Sequence, residues 1–534
     1  MTSPKTTVPA GGQDAERTER TSGRLAKRYA ALLEILGPTV QRPGVVVGFL
    51  STLALAMSAL MPKESKQYDL PLLFGFIRDW MNRGVGVAFA VCGGILLALA
   101  WIQARPRAHH PVARPLAQTM AIAGIWSLPL IFALPFGSLD GYAYLDQGWQ
   151  LNHHLSPYKI GLATDLGPFA GHVSYVWVGT TTVYPPLALR FGQLAVLIGG
   201  SHPYWSLVAL HLLDLFSLLL GAWAVKRLAA GMGRNVPKAL WWYLNPLMII
   251  SGIGGLHHEL LMTSLMLVGL MLARTRYGIV TGSVAIAVAA AVKQPAVFVL
   301  PALVIATLPA AVALAGGVRM WVQIAWRAVV SAAVVAAGFA AVTWASGLGY
   351  GWRDALGVPG STFTLSPTAI LGQVVGFFYR HATGVKLGQG VANDPVGMVV
   401  AGIVAIWFVI EIVRLSPHRW PTLAWVGSLA FGLASPSLWP WYLIPIPVMF
   451  GLERHDQDDV RRRIAFVLGL SFAQVVIENT GFQRYGSLAA ALILAVSWLY
   501  FSRLHPGIAR SLTDRTPGPA RLAGPDEGAL RPEA

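Results

Sequence analysis

Long apolar stretches without a charged side chain decide what this chain can become. Residues 44–61, 85–103, 117–135 and 278–292 contain no Asp, Glu, Lys or Arg. About 20 apolar residues, rising 1.5 Å each as a helix, cross the roughly 30 Å hydrocarbon core of a bilayer. Further apolar runs lie at 204–225, 239–254, 259–273, 296–314, 326–346, 396–413, 421–433, 441–452, 463–479 and 486–504. The pattern predicts an all-α polytopic membrane protein with about fourteen transmembrane helices, the shorter ones tilted, broken or paired. Only 12% of the residues are charged, against about 25% in a soluble domain. Too few charges remain to solvate a globular surface of this size.

The net charge is +16. In a soluble domain that excess would point to nucleic acid. Here the cations cluster between the apolar runs, so they read as topology, and no nucleic-acid partner is expected. Arg17, Arg20, Arg24, Lys27 and Arg28 precede the first run, and Arg105, Arg107 and Arg114 follow the second. Lys226, Arg227, Arg234, Lys238, Arg274, Arg276 and Arg461 to Arg463 continue the series. All fall on one side if both termini are cytoplasmic. The segment Lys63 to Arg83 breaks the rule, with cations on the outer side beside Glu64, Asp69 and Asp79. The 19 Trp and 15 Tyr suit two membrane interfaces. Cys92 is the single cysteine, so the chain forms no internal disulfide.

The domain reading follows from the same runs. Residues 1–43 and 505–534 are cytoplasmic disordered tails, and 44–116 hold two additional N-terminal spans. A membrane module covers 117–346, and 347–504 supply C-terminal spans that complete a substrate cavity. Two outer loops are long, from about Gly137 to Pro203 and from about Ser346 to Pro395. Loops of that length are usually functional. Within the first, Pro186 to Gly200 reads as a helix lying at the interface or re-entering it, since a full span there would invert the later charges.

The first loop opens Leu139-Asp140-Gly141-Tyr142-Ala143-Tyr144-Leu145-Asp146-Gln147. On a helix Asp140, Tyr144 and Gln147 share one face, and Asp146 points about 120° away. A carboxylate beside aromatic and amide groups suits a sugar, whose rings stack and whose hydroxyls bond. The plainer reading makes Asp140 a helix N-cap, and both stand on sequence alone. Pro185-Pro186 after Tyr184 ends one element and starts another.

Other polar residues interrupt the apolar runs. His257, His258 and Glu259 follow paired glycines; zinc is the weaker reading, because neighbours in sequence do not readily face one ion. Lys293, before Gln294-Pro295, is costly in an apolar setting, and either binds an anion or meets backbone freed by the proline. His211 and Asp214 are one turn apart and read as a structural pair. Trp441, in Trp439-Pro440-Trp441-Tyr442, and Arg484 mark the same outer boundary, with an aromatic belt and an interface anchor as the plain alternatives.

Taken together these pieces resemble the GT-C class of lipid-dependent glycosyltransferases, and most closely the actinobacterial polyprenol-phosphomannose-dependent α-1,6-mannosyltransferases. The matching residues are Asp140, Tyr142, Tyr144, Gln147 and Gly148, then Ser156-Pro157-Tyr158 and Tyr184-Pro185-Pro186-Leu187. Asn245-Pro246-Leu247, Gly254-Gly255-x-His257-x-Glu259, Val292-Lys293-x-Pro295 and Pro440-Trp441-Tyr442-Leu443 follow in order. The chain departs at Ser156 and His258, where members often carry Asp and Asn.

The resemblance implies a GT-C fold with a large first extracytoplasmic loop and an active site on that side of the cell membrane. It implies transfer of mannose from polyprenyl-phosphate mannose to a lipid-anchored mannan acceptor in lipomannan and lipoarabinomannan core synthesis. Asp140 would be the catalytic base. Tyr142, Tyr144, Gln147, Tyr158, Tyr184, His257, Glu259, Lys293, Trp441 and Arg484 would bind substrate. No nucleotide leaves, so no metal and no cofactor are implied, and membrane lipids are the remaining partner. A transporter or flippase of lipid-linked sugars is the alternative, and would gather its polar residues at the membrane midplane instead.

Overall fold

The computed structural model describes residues 39, 41–61, 70–106, 113–357, 366–385, 389–415, 419–454 and 457–479. Among these residues every regular element is a helix. The first four α-helices are α1 (Pro43–Ala59), α2 (Leu72–Trp80), α3 (Arg83–Gln103) and α4 (Pro115–Ile131). The first long loop carries α5 (Asp140–Asn152) and α6 (Pro186–Ile198), and leads into α7 (Pro203–Gly231). Then come α8 (Val236–Tyr243), π-helical turns over Met248–Gly254, α9 (Glu259–Leu272) and α10 (Gly278–Val292). The remainder comprises α11 (Leu300–Ala306), α12 (Ala310–Ala315), α13 (Gly317–Ser346), α14 (Pro367–Thr383), α15 (Gln389–Arg414), α16 (Trp420–Ala434), α17 (Pro445–Phe450) and α18 (Gln457–Asn479).

Local chemistry explains the boundaries. Proline occupies the first turn of α1, α4, α6, α7, α8, α14, α16 and α17, where its missing N–H costs nothing. The side chains of Asn82, Asn235 and Ser366 cap α3, α8 and α14, accepting from the N–H of Val85, Lys238 and Ala369.

Packing ties the N-terminal helices to the rest. At Gly48 on α1 a Cβ would stand 2.1 Å from Nε1 of Trp126 on α4. Only glycine lets these helices approach so closely, and that indole then donates to the Val45 carbonyl at 3.1 Å. Trp101 on α3 and Trp241 on α8 stack at 4.2 Å and 3°. Each indole donates to the other's carbonyl, at 2.9 and 2.7 Å.

The outside is apolar too. Val318, Val322, Trp326 and Val329 of α13 and Met398, Ile403, Ile406 and Val409 of α15 are exposed. Water does not solvate such faces, and lipid does. Among the described residues four helices are long and apolar enough to cross a bilayer, α3, α7, α13 and Pro395–Arg414 within α15. The bent pair Met248–Gly254 and α9 makes a fifth if it is one span. The chain is a multi-pass membrane protein.

Several expected spans are broken rather than continuous. The run 239–254 stops at Tyr243, because Pro246 cannot continue a helix; the Asn245 amide bridges the gap, donating to the Trp242 carbonyl at 3.0 Å and accepting from Met248 N–H at 3.1 Å. The run 296–314 divides into a 3₁₀ turn (Gln294–Val299), α11 and α12, with Pro301 and Pro309 at the joints. The run 441–452 divides into a 3₁₀ turn (Pro440–Leu443) and α17. The second long loop is not structureless, since α14 lies within it. The expected last span, 486–504, lies outside the described residues.

Candidate active site

α5 begins at Asp140, with Leu139 in the N-cap position and no side-chain cap. The Asp140 carboxylate turns away from its own backbone: Trp177, far along the loop, donates its indole N–H to Oδ1 at 2.9 Å. The N-cap reading of Asp140 is therefore set aside. Oδ2 stands 3.7 Å from His257 Nδ1, beyond hydrogen-bond length. The Asp140 side chain keeps 16% exposure, which leaves a small molecule a route to it. Burial raises its carboxyl pKa above the usual range; the Trp177 hydrogen bond and the Lys293 charge pull it back in part, and Glu259 adds to the rise.

α5 is fixed by α6. At Gly192 a Cβ would stand 2.4 Å from the Tyr144 carbonyl, and at Gly148 one would stand 2.5 Å from the Gly192 backbone. This mutual close approach aims Tyr144 inward. Its hydroxyl meets the Tyr184 hydroxyl at 3.1 Å. Tyr184 in turn is held by Tyr158, whose hydroxyl donates to the Tyr184 carbonyl at 3.0 Å, and by Gln294, which donates to the Val183 carbonyl at 2.8 Å.

The second wall is a break in a helix. The π-helical turns and α9 meet at 113°. Leu256 at the corner has φ 58°, a conformation costly for a branched residue. The corner presents His257, His258 and Glu259, all buried. The histidines diverge: His257 stacks on Trp441 at 3.9 Å and 11°, and His258 on Tyr144 at 3.9 Å and 23°. Trp441 stacks again on Trp439 at 4.8 Å. Both ring nitrogens of His257 and Oε2 of Glu259 are buried with no hydrogen-bond partner. Among the described residues no three His, Cys, Asp or Glu side chains gather where they could hold an ion.

The third wall is where α10 ends. Lys293 has extended backbone between Val292 and a 3₁₀ turn that carries Pro295 near its start. Its ammonium is bonded to Glu259 Oε1. It also lies over the rings of Tyr442 at 4.7 Å and Tyr184 at 5.4 Å. Neither sequence-based alternative for Lys293 anticipated this carboxylate partner. Glu259 occupies one of three N–H donors, so the ammonium retains capacity for an anion.

Asp140, Tyr144, Tyr158, Tyr184, His257, Glu259, Lys293 and Trp441 thus form one connected cluster. The Tyr142 ring packs on His172 at 4.9 Å, and two residues from Asp140 is 200° round the helix. Gln147 is buried on the Asp140 face, but among the described residues no hydrogen bond joins it to the cluster. Arg484 lies outside the described residues. Asp146 points away as its position requires, accepting from Ala163 N–H at 2.9 Å. His211 and Asp214 do not bond each other: His211 Nδ1 meets the Leu207 carbonyl at 2.9 Å, and Asp214 Oδ1 is buried without a partner. Trp177, Tyr442 and His258 belong to the cluster beyond the residues chosen from sequence.

Known proteins similar to this chain give its family. A family model described as alpha-(1->6)-mannopyranosyltransferase, N-terminal domain, matches residues 44–309. Alpha-(1->6)-mannopyranosyltransferase A of Corynebacterium glutamicum is 31% identical over 393 residues, covering 70% of this chain and 78% of that protein. Its namesake in Mycobacterium tuberculosis is 30% identical over 475 residues, covering 85% of this chain and 86% of the relative. Among solved structures, ArnT from Cupriavidus metallidurans bound to undecaprenyl phosphate is 12% identical with a TM-score of 0.34, over 80% of this chain and 77% of that one. The oligosaccharyltransferase of Archaeoglobus fulgidus is 16% identical with a TM-score of 0.30, over 75% and 54%. On the coverage and identity of its curated relatives, the chain belongs to the alpha-(1->6)-mannopyranosyltransferase family.

Proposed function

We propose that this protein is an inverting mannosyltransferase of the GT-C class, using polyprenyl-phosphate mannose as donor and the 6-hydroxyl of a lipid-anchored α-1,6-mannan as acceptor. The observation that carries the reading is the Asp140 carboxylate, part-buried yet reachable, held by Trp177 and facing His257. A carboxylate with a raised pKa, fixed in orientation by one donor, suits a general base. Asp140 takes the proton from the acceptor hydroxyl as that oxygen attacks the anomeric carbon. The bond from that carbon to the phosphate oxygen breaks, and the β-linked donor becomes an α-linked product. The transition state is oxocarbenium-like, as in glycoside hydrolysis.

The leaving lipid phosphate is already a stable anion, so it needs donors rather than an acid. The free donors of the Lys293 ammonium suit it. The unpartnered nitrogens of His257 and Oε2 of Glu259 suit sugar hydroxyls, and Trp441 and Tyr184 supply faces for a ring. In this reading the site faces the extracytoplasmic side, both termini are cytoplasmic, and the product enters the lipomannan and lipoarabinomannan core. The transporter reading is less favoured, because the titratable residues gather round Asp140 while Asp214 stands apart.

Asp140→Asn tests the assignment. The amide oxygen can still accept from Trp177, so folding and insertion are expected to survive. Transfer from labelled polyprenyl-phosphate mannose to an α-1,6-mannoside, in membranes, is expected to fall about 10²–10⁴-fold, the usual contribution of a general base. Full activity in the variant removes Asp140 from that role, and no transfer by the unaltered protein removes this donor and acceptor.

A further inference from the structure

A cavity lies at the far end of α4 from Asp140. It encloses about 620 Å³ among the ends of α1, α3, α4 and α8. Pro115, Gln118, Thr119, Ile122 and Trp126 of α4 line it, whereas Asp140 follows the other end of that helix. The volume is that of a small-molecule site, and it shares no lining residue with the Asp140 cluster.

The lining has two characters. Trp101, Trp126 and Trp241 form much of the wall. Their N–H groups are engaged by backbone carbonyls of Trp241, Val45 and Trp101, so the indoles offer mainly hydrocarbon faces. The polar part is cationic. With its amide oxygen toward Arg42, Gln118 accepts from the guanidinium at 2.7 Å from Nη1 and 2.9 Å from Nη2. That partner is neutral, so it orients the fork without cancelling its charge. The Arg105 guanidinium lies 5.6 Å from the centre of the Trp241 ring. Neither Asp nor Glu is among the described residues that line the cavity.

A planar guanidinium matches phosphate oxygens in pairs. Indole walls at the ends of apolar helices match the glycerol and first methylenes behind a lipid phosphate, and basic pockets between membrane helices are known to take such head groups. A free phosphate would leave those walls without an apolar partner. We propose that this cavity binds the phosphate head group of an anionic phospholipid, on the membrane face opposite the Asp140 site. The bound lipid would pin α1, α3 and α4 against α8, the helix that leads into the π-helical turns and the His257 corner.

The test uses the full chain in detergent with phosphatidylglycerol and phosphatidylcholine of identical acyl chains. Native mass spectrometry is expected to show the anionic lipid retained at concentrations at least tenfold lower than the zwitterionic one. Arg42→Gln with Arg105→Gln is expected to abolish that preference, and millimolar inorganic phosphate is expected to leave the lipid bound. Equal retention of both lipids, a preference that survives the double substitution, or displacement by inorganic phosphate would each overturn the proposal. Should the double variant fail to fold, photoactivatable phosphatidylglycerol on the unaltered chain decides it. Crosslinks within residues 42–45, 101–106, 115–126 or 237–244 are expected, and crosslinks confined elsewhere refute it.

Discussion

Lys293 and Glu259 are 7% and 1% exposed and bonded to each other. Removing one partner of a buried ion pair strands the other charge, at a cost of about 3–5 kcal/mol. Replacing both with apolar side chains of similar volume is commonly neutral. The two single losses should differ. After Glu259→Met, Lys293 keeps the faces of Tyr442 and Tyr184, and a desolvated cation over an aromatic ring recovers about 2 kcal/mol. After Lys293→Met, Glu259 faces the Asp140 carboxylate with no cation between them. Lys293→Met is therefore expected at the upper end of that range, Glu259→Met at the lower, and the double variant far below their sum. Reversible unfolding in mixed micelles measures all four members of the cycle. Additive losses, or a milder Lys293→Met, refute the closed pair. In transfer assays the folded double variant is expected to lose at least tenfold in kcat/KM for the donor lipid while acceptor KM holds. Unchanged donor kinetics would remove the ammonium from phosphate binding.

Asp140 works as a base only when ionised, so kcat/KM should fall as pH drops through its raised pKa, with the acid limb above the ordinary carboxylate value of about 3.9; a limb at or below that value refutes the raised pKa. The same sign governs stability: a carboxyl whose pKa is raised by folding favours the folded state below about pH 3.9 and loses that contribution as it ionises. Asp140→Asn should consequently unfold no earlier than the unaltered protein at neutral pH, and a clear loss there would mark Asp140 as structural. Trp177→Phe removes the N–H that lowers the Asp140 pKa, so the acid limb should move to higher pH; a limb that stays or moves down contradicts the geometry. The resemblance implies Arg484 as a second cation beside Lys293 for the donor phosphate. Arg484→Gln is expected to raise donor KM at least tenfold and leave acceptor KM unchanged, and an unchanged donor KM refutes that role.

Much of the site was legible because buried charge is expensive. Asp140, Glu259 and Lys293 stand out in an apolar chain without reference to any fold. Their partners were not legible. Lys293 and Glu259 are 34 positions apart, and Trp177 and Asp140 are 37, so no local period relates them. Tyr142 shows the converse. It entered the candidate set through its place in a motif, whereas the helical period already set it opposite Asp140, and the period governs. α14 escaped a reading tuned to spans because its apolar run is short. Its Ser366 cap, Pro367 and αL Gly384 were nonetheless visible boundary signals.

The broken spans and the site are one phenomenon. Non-helical backbone at membrane depth is tolerated where protein buries it or where it lines a cavity. Three breaks are buried together in the protein: the corner at Leu256, the extended residue Lys293 before Pro295, and the 3₁₀ turn at Pro440–Leu443. Each carries a residue that touches another's: Glu259 bonds Lys293, His257 stacks on Trp441, and Lys293 lies over Tyr442. A helix presents side chains on its flank, one turn apart. A helix end presents consecutive residues, and here His257, His258 and Glu259 diverge to three different partners from one corner. Prolines at two of these breaks, and the Gly254-Gly255-Leu256 corner at the third, are thus what lets polar groups converge near Asp140. Restoring a continuous helix at any one of them would lengthen a span and dismantle a wall of the site.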